Sequence, residues 1–124
     1  MNHNDSPLPE TLLELRSFAL AFPGAVEDHP WGDWVAKVRG KVFVFLGSRA
    51  GGVGLSVKLP QSSGEALSLP FCQPTGYGLG KAGWVSAEFP AGNDVPVELI
   101  EDWIDESYRA IAGKRLAAAL PPRA

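Results

Sequence analysis

The stretch Trp34-Val35-Ala36-Lys37-Val38-Arg39-Gly40-Lys41-Val42-Phe43-Val44-Phe45-Leu46 decides how this chain folds. It reads as two strands joined by a two-residue turn. Trp34 to Val38 is the first strand and Lys41 to Leu46 the returning one. Arg39-Gly40 forms the turn, because tight hairpins need positive φ and glycine supplies it without steric cost. A simple two-residue turn places Trp34 opposite Phe45 and Ala36 opposite Phe43. A hairpin of this kind makes the sheet antiparallel at its centre.

Outward from the hairpin the pattern continues. Val53, Leu55, Val57 and Leu59 alternate with Gly54, Ser56 and Lys58, the period of two expected of a half-buried strand. Pro60 opens a short helix to about Leu69. Pro70 to Gly83 reads as a long Gly- and Pro-rich connection. Trp84 to Phe89 is another strand, with Val85, Ala87 and Phe89 on one face and Trp84, Ser86 and Glu88 on the other. Pro96 then opens a helix whose apolar stripe is Val97, Ile100, Ile104, Tyr108 and Ile111. Glu98, Glu101, Asp102, Asp105 and Glu106 form its expected wet side, Gly113 is a candidate cap, and Leu116 to Ala124 is a tail.

Upstream, Ser6-Pro7 starts a helix spanning about Pro9 to Ala21, ended by Phe22-Pro23-Gly24. Val26 to Pro30 is a short strand. Short links between consecutive strands predict an α+β fold, an antiparallel sheet with the N- and C-terminal helices packed on one face. The 124 residues form one domain, with a core from about residue 8 to 115.

Composition limits the function. The single cysteine, Cys72, excludes an internal disulfide framework and a multi-cysteine zinc site. The N-terminus lacks the basic and apolar regions of a signal peptide, and no apolar run reaches membrane-spanning length. A cytoplasmic, membrane-free protein is expected. The net charge of −3 disfavours a uniformly basic nucleic-acid surface. The charges are nevertheless segregated. Residues 30–60 hold one acid, Asp33, and five bases, Lys37, Arg39, Lys41, Arg49 and Lys58. Residues 1–29 hold five acids and one base, and residues 91–124 six acids and four bases. A basic hairpin of this kind suits phosphate contact, and equally suits solubility and protection of sheet edges.

No catalytic constellation is visible. The run Thr75-Gly76-Tyr77-Gly78-Leu79-Gly80-Lys81-Ala82 departs from a phosphate loop, with Thr75 where the first glycine belongs and Ala82 where a hydroxyl should hold magnesium. It is then either a structural loop or a binding loop carrying Tyr77 and Lys81. His29 beside Asp28 and Asp33 does not complete a metal ligand set, and neither histidine lies near Cys72 in sequence. No cofactor, metal or catalytic residue is expected. Trp84 is out of phase with its strand's apolar face. It either stacks on a planar partner beside Lys58 or belongs to a second apolar cluster under the 70–83 connection.

Two segments together resemble a known family. Phe22-Pro23-Gly24-Ala25-Val26-Glu27-Asp28-His29-Pro30-Trp31-Gly32 and Val38-Arg39-Gly40-Lys41-Val42-Phe43 look like the first half of the MmcQ/YjbR family. The run from Tyr77 through Lys81 to Trp84, and Glu106-Ser107-Tyr108, look like its second half, so the resemblance spans about residues 10 to 115. It implies a CyaY-like α+β fold and DNA binding through a double-wing arrangement of hairpins. The family loop often reads Tyr-His-Met-Asn-Lys before its tryptophan. Tyr77, Lys81 and Trp84 match, whereas Gly78 and Gly80 replace the histidine and asparagine.

The leading expectation is a small non-enzymatic binding protein with DNA as its partner. Lys37, Arg39, Lys41 and Lys58 would contact phosphates, with Tyr77, Lys81 and Trp84 adding stacking or loop contacts. The alternative expectation is a small-molecule or protein-binding module that uses the open sheet face around Trp84.

Overall fold

The computed structural model describes residues 8–121. The expected helix start at Ser6-Pro7, His3 and the last tail residues lie outside that range. Helix α1 spans Glu10–Leu20, and strands β1 (Val26–Asp28), β2 (Val35–Val38), β3 (Lys41–Gly47) and β4 (Val53–Lys58) follow. Helix α2 (Ser63–Leu67), strands β5 (Cys72–Pro74) and β6 (Trp84–Phe89), and helices α3 (Val97–Ala112) and α4 (Lys114–Ala118) complete the chain. Single 3-10 turns occupy Pro30–Gly32 and Leu79–Ala82. The sheet has six strands in the order β1-β2-β3-β4-β6-β5, every neighbouring pair antiparallel. The α+β architecture and its antiparallel sheet are as the sequence predicts.

The 70–83 connection is more structured than expected. Cys72–Pro74 pairs with β6 as an edge strand, a place that tolerates a proline because one side of the strand makes no ladder bonds. The expected short helix from Pro60 to Leu69 is confined to Ser63–Leu67.

Arg39 and Gly40 both adopt positive φ, 55° and 78°, as a twist-matched hairpin turn requires. The expected pairing of Trp34 with Phe45 and Ala36 with Phe43 is corrected by a β-bulge. Lys37 pairs with Val42, but Ala36 pairs with Val44 and Val35 with Phe45. Phe43 is the additional residue. A bulge lets two successive side chains lean to one face, and both Phe43 and Val44 are fully buried in the main core.

That core lies between the sheet and the two long helices. Leu12, Leu15 and Ala19 of α1 and Ile100, Ile104 and Tyr108 of α3 meet Ala36, Val38, Leu46, Leu55, Val57 and Val85 from the strands. Trp103, outside the expected stripe, is also buried there. Phe22 stacks on Tyr108 with ring centroids 4.6 Å apart, and Phe43 meets the same ring edge-on at 5.2 Å.

Three consecutive α3 residues lock the helix to its surroundings. Glu106 accepts from the backbone N–H groups of Gln61 and Ser62 and from the Ser62 hydroxyl, tying down the turn before α2. Ser107, wholly buried, donates to the Phe43 carbonyl and accepts from the Lys58 N–H at 2.8 Å. It satisfies backbone groups of β3 and β4 one position beyond their last pair, Val44 with Val57, at the bulged Phe43. The Tyr108 hydroxyl donates to the Pro23 carbonyl at 2.6 Å, and burial pushes its pKa up. Asp105, expected on the wet side, is instead 6% exposed and paired with Arg109 one turn later. The acid and base at i,i+4 explain how a carboxylate is tolerated there.

Candidate binding groove on the open sheet face

Residues opposite one another in an antiparallel sheet share a face. One such row runs Asp28, Val35, Phe45, Ser56, Ser86 and Gln73 across all six strands. It projects away from the two long helices. Val35 and Trp84 are buried on this face and stand outside the main core cluster. Trp84 is opposite Lys58 in register and meets Phe45 edge-on at 6.0 Å. Of the two roles expected for Trp84, the second apolar cluster describes its surroundings. At 9% exposure its ring is not free to stack on a partner.

A groove of about 720 Å³ opens beside this cluster. Its floor contains Gly54, Ser56 and Ser86, and Phe45, Thr75, Tyr77 and Leu79 line its sides. The loops around Ser48–Ala50 and Pro90–Ala91 close one end. Gly47 and Gly54 are directly opposed in register. Neither has positive φ, and a Cβ at Gly47 would meet nothing within 4 Å. The backbone therefore does not demand glycine at this pair. The effect of having glycine at both positions is one stretch of the floor without side chains.

Beside the glycine pair, three hydroxyls form a chain. The Oγ of Ser86 lies 2.7 Å from the Oγ of Ser56 and 2.9 Å from the Oγ1 of Thr75. The register delivers Ser56 and Ser86 as a cross-strand pair. Thr75 arrives because its N–H bonds to the Trp84 carbonyl, extending the β5 pairing by one residue. The charges lining the groove are sparse and mixed: Asp33, Arg49 and Glu88, the last directly opposite Gly54 in register.

The residues expected to contact phosphate are dispersed. Lys37 is ion-paired with Asp28 at 2.7 Å, and the lysine hydrogen bond holds that carboxyl below its usual pKa. Arg39 reaches the other side of the molecule, where its Nη1 donates to the Ala112 carbonyl at the end of α3. A cation there also complements the helix dipole. Lys41 is exposed at the hairpin turn, Lys58 lies on the open face, and Lys81 sits in the 3-10 turn. Among the described residues Lys41, Lys58 and Lys81 hold no ion pair. Tyr77 is fully exposed with φ of 58° and lines the groove, whereas Lys58, Lys81 and Trp84 stand outside its lining. Sequence phase places Ser56, Ser86 and Trp84 off the apolar face. Thr75 and the groove itself appear only once β5 is recognised as an edge strand.

Other chemistry is thinly represented. Among the described residues no group of three His, Cys, Asp or Glu side chains could hold a metal ion. Cys72 is half-buried, and desolvation pushes its thiol pKa up, away from the reactive thiolate. No helix among the described residues is long and apolar enough to cross a membrane.

Comparison with known proteins bears on the family. No curated protein matches the chain. Among solved structures, a Deinococcus radiodurans protein with a DUF419 domain is similar at 25% identity and a TM-score of 0.63, over 78% of this chain and 75% of its own. A Pseudomonas syringae protein shares the fold at 17% identity and a TM-score of 0.60, over 90% of this chain and 99% of its own. The YjbR family model matches residues 20–110, a span that begins just before the Phe22-Pro23-Gly24 turn and ends just after Tyr108. The chain belongs to the YjbR family.

Proposed function

We propose that this YjbR-family chain is a small-molecule-binding protein whose site is the groove on the open sheet face. The observation that carries the reading is the hydroxyl chain of Ser56, Ser86 and Thr75 on the floor of a concavity of about 720 Å³. Small-molecule sites are concavities of this size, apolar for the most part, with a few convergent polar groups. Phe45 and Leu79 supply the apolar surface and the hydroxyls the polar one. The opposed glycines add support, since glycine weakens a strand and persists where something must approach the backbone.

Duplex DNA is the competing partner. It draws less support, because phosphate recognition needs converging free cations, and Lys37 and Arg39 are both engaged within the protein. Fluorescence separates the two. Trp34 borders the groove and Trp84 touches Phe45. Titration with neutral heteroaromatic compounds should change the emission, and Gly54→Phe, which fills the floor, should abolish the change. The reading fails if no compound alters emission while duplex DNA does so at low salt and loses that effect on Lys58→Ala and Lys81→Ala substitution.

A further inference from the structure

We infer that the groove selects a neutral, planar ligand through an edge carrying one hydrogen-bond donor beside one acceptor, as in a lactam or carboxamide. This deepens the small-molecule reading and rests on it. The argument begins with proton counting. Each hydroxyl owns one proton and can accept through two lone pairs. Ser56, Ser86 and Thr75 therefore own three protons, and their two mutual contacts, at 2.7 and 2.9 Å, consume two. One proton is always left over.

When the bonds run from Ser56 through Ser86 to Thr75, the spare proton is on Thr75 and Ser56 has free lone pairs. When they run the other way the roles exchange. If both outer hydroxyls donate to Ser86, the spare proton is on Ser86 itself. In every arrangement the floor offers a single donor next to a hydroxyl with a free lone pair, so it can match a donor–acceptor edge in either orientation. A ligand that only accepts uses the single proton and leaves the lone pairs idle. An apolar ligand leaves both unpaired as it displaces water.

Charge and shape narrow the class. The lining holds one cation, Arg49, against Asp33 and Glu88, with Glu88 beside Gly54 itself, so no convergence of cations favours an anion. The floor is flat where Gly47 faces Gly54. The ring of Phe45, in the same row as Ser56, stands beside the hydroxyls. A flat ring lying on the glycine floor would turn its polar edge toward Ser56, Ser86 and Thr75.

The test uses three compounds of one shape. 2-Quinolone carries the adjacent N–H and C=O, N-methyl-2-quinolone lacks the donor, and naphthalene lacks both. Each is titrated into the full-length, isotope-labelled protein, and the amide shifts of Gly47, Gly54, Ser56 and Ser86 are followed. 2-Quinolone should bind about tenfold or more tightly than either comparator, the ratio expected for losing one net hydrogen bond. In the triple variant Ser56→Ala, Thr75→Val and Ser86→Ala, which removes every hydroxyl of the chain, the three affinities should converge, whereas any one substitution alone leaves a spare proton beside an acceptor and should keep part of the preference. Equal affinities in the native protein, or a preference undiminished in the triple variant, would overturn the donor–acceptor assignment while leaving the groove as a binding site. Absence of any shift at these amides with all three compounds would overturn the groove itself.

Discussion

The two faces of this sheet are built on opposite principles. On the helix side the polar side chains that α3 sends toward the interior each have a partner. Ser107 bridges Phe43 and Lys58, Tyr108 reaches Pro23, and Glu106 gathers the turn at Gln61-Ser62. On the open side Ser56, Ser86 and Thr75 bond only to one another and retain spare capacity. The first arrangement fixes a fold, because a buried polar group costs most when unpaired. The second keeps polar groups available at the edge of solvent, where their cost is small. Saturation on one face and surplus on the other mark the difference between holding a structure and waiting for a ligand.

Removing Tyr108 tests the saturated face most severely. Its ring joins Phe22 to Phe43, and its hydroxyl anchors the turn at Pro23. Tyr108→Ala should lower stability by about 3–5 kcal/mol, the range for deleting a large buried aromatic. Urea denaturation would show it as a large fall in midpoint. An unfolded variant would agree with the assignment, and a loss under about 1 kcal/mol would not.

Ser107→Ala should follow, with a loss of about 2–3 kcal/mol, because it strands the Lys58 N–H and the Phe43 carbonyl in the interior. The same lesion should speed hydrogen exchange at Lys58 more than at strand amides away from the bulge. Uniform acceleration throughout the sheet would mean that Ser107 matters only through global stability.

The contrast between the faces was only partly legible in the sequence. The Arg39-Gly40 turn, the alternation of Val53, Leu55 and Val57, and the α3 stripe are local patterns, and each marked its element. The bulge at Phe43 was hidden, because Lys41 to Leu46 is nearly continuous in apolar residues and gives no phase to detect a slip. Asp105 followed the polar phase of its helix but is buried with Arg109. Local periodicity does not register such a pairing with a neighbour one turn away. Trp84 was correctly placed off the core face, yet its burial depends on Phe45 two strands away. The hydroxyl chain shows the same limit. Ser56 and Ser86 could be put on one face by phase, whereas Thr75 joins them through an edge strand, β5, that contains a proline.

Glu106→Ala should cost about 1–2 kcal/mol. It removes a charged acceptor from three donors, but the donors lie near the surface and water can replace part of what is lost. Glu106→Gln should recover part of the difference. Thermal unfolding of the pair against the parent would rank the three, and a glutamine variant no better than alanine would remove the charge from the explanation.

The Tyr108 hydroxyl also gives the saturated face a pH signature. Burial raises its pKa in the folded chain above the ordinary value near 10.0. The native state therefore keeps a proton that the unfolded chain releases. The contribution is complete below about pH 10 and is lost as pH climbs through the folded-state pKa. Urea midpoints compared at about pH 8 and 11 should fall more in the parent than in Tyr108→Phe. Equal falls would place the alkaline sensitivity elsewhere.

The smallest expected effect has the opposite sign. Gly54→Ala introduces a Cβ that would meet the Glu88 side chain at 3.9 Å, an ordinary contact, and Gly54 has no positive φ to preserve. Glycine in a strand loses more conformational freedom on folding than alanine does. The substitution should therefore stabilise the protein by about 0.5–1 kcal/mol. The added methyl also projects over the floor beside Ser56, where the groove needs an unobstructed surface. Higher stability together with weaker ligand binding is the outcome expected if the glycine serves the site rather than the fold. Stabilisation with binding intact would separate the glycine pair from the groove. Destabilisation would reveal a structural demand for glycine at Gly54 that its backbone geometry does not display.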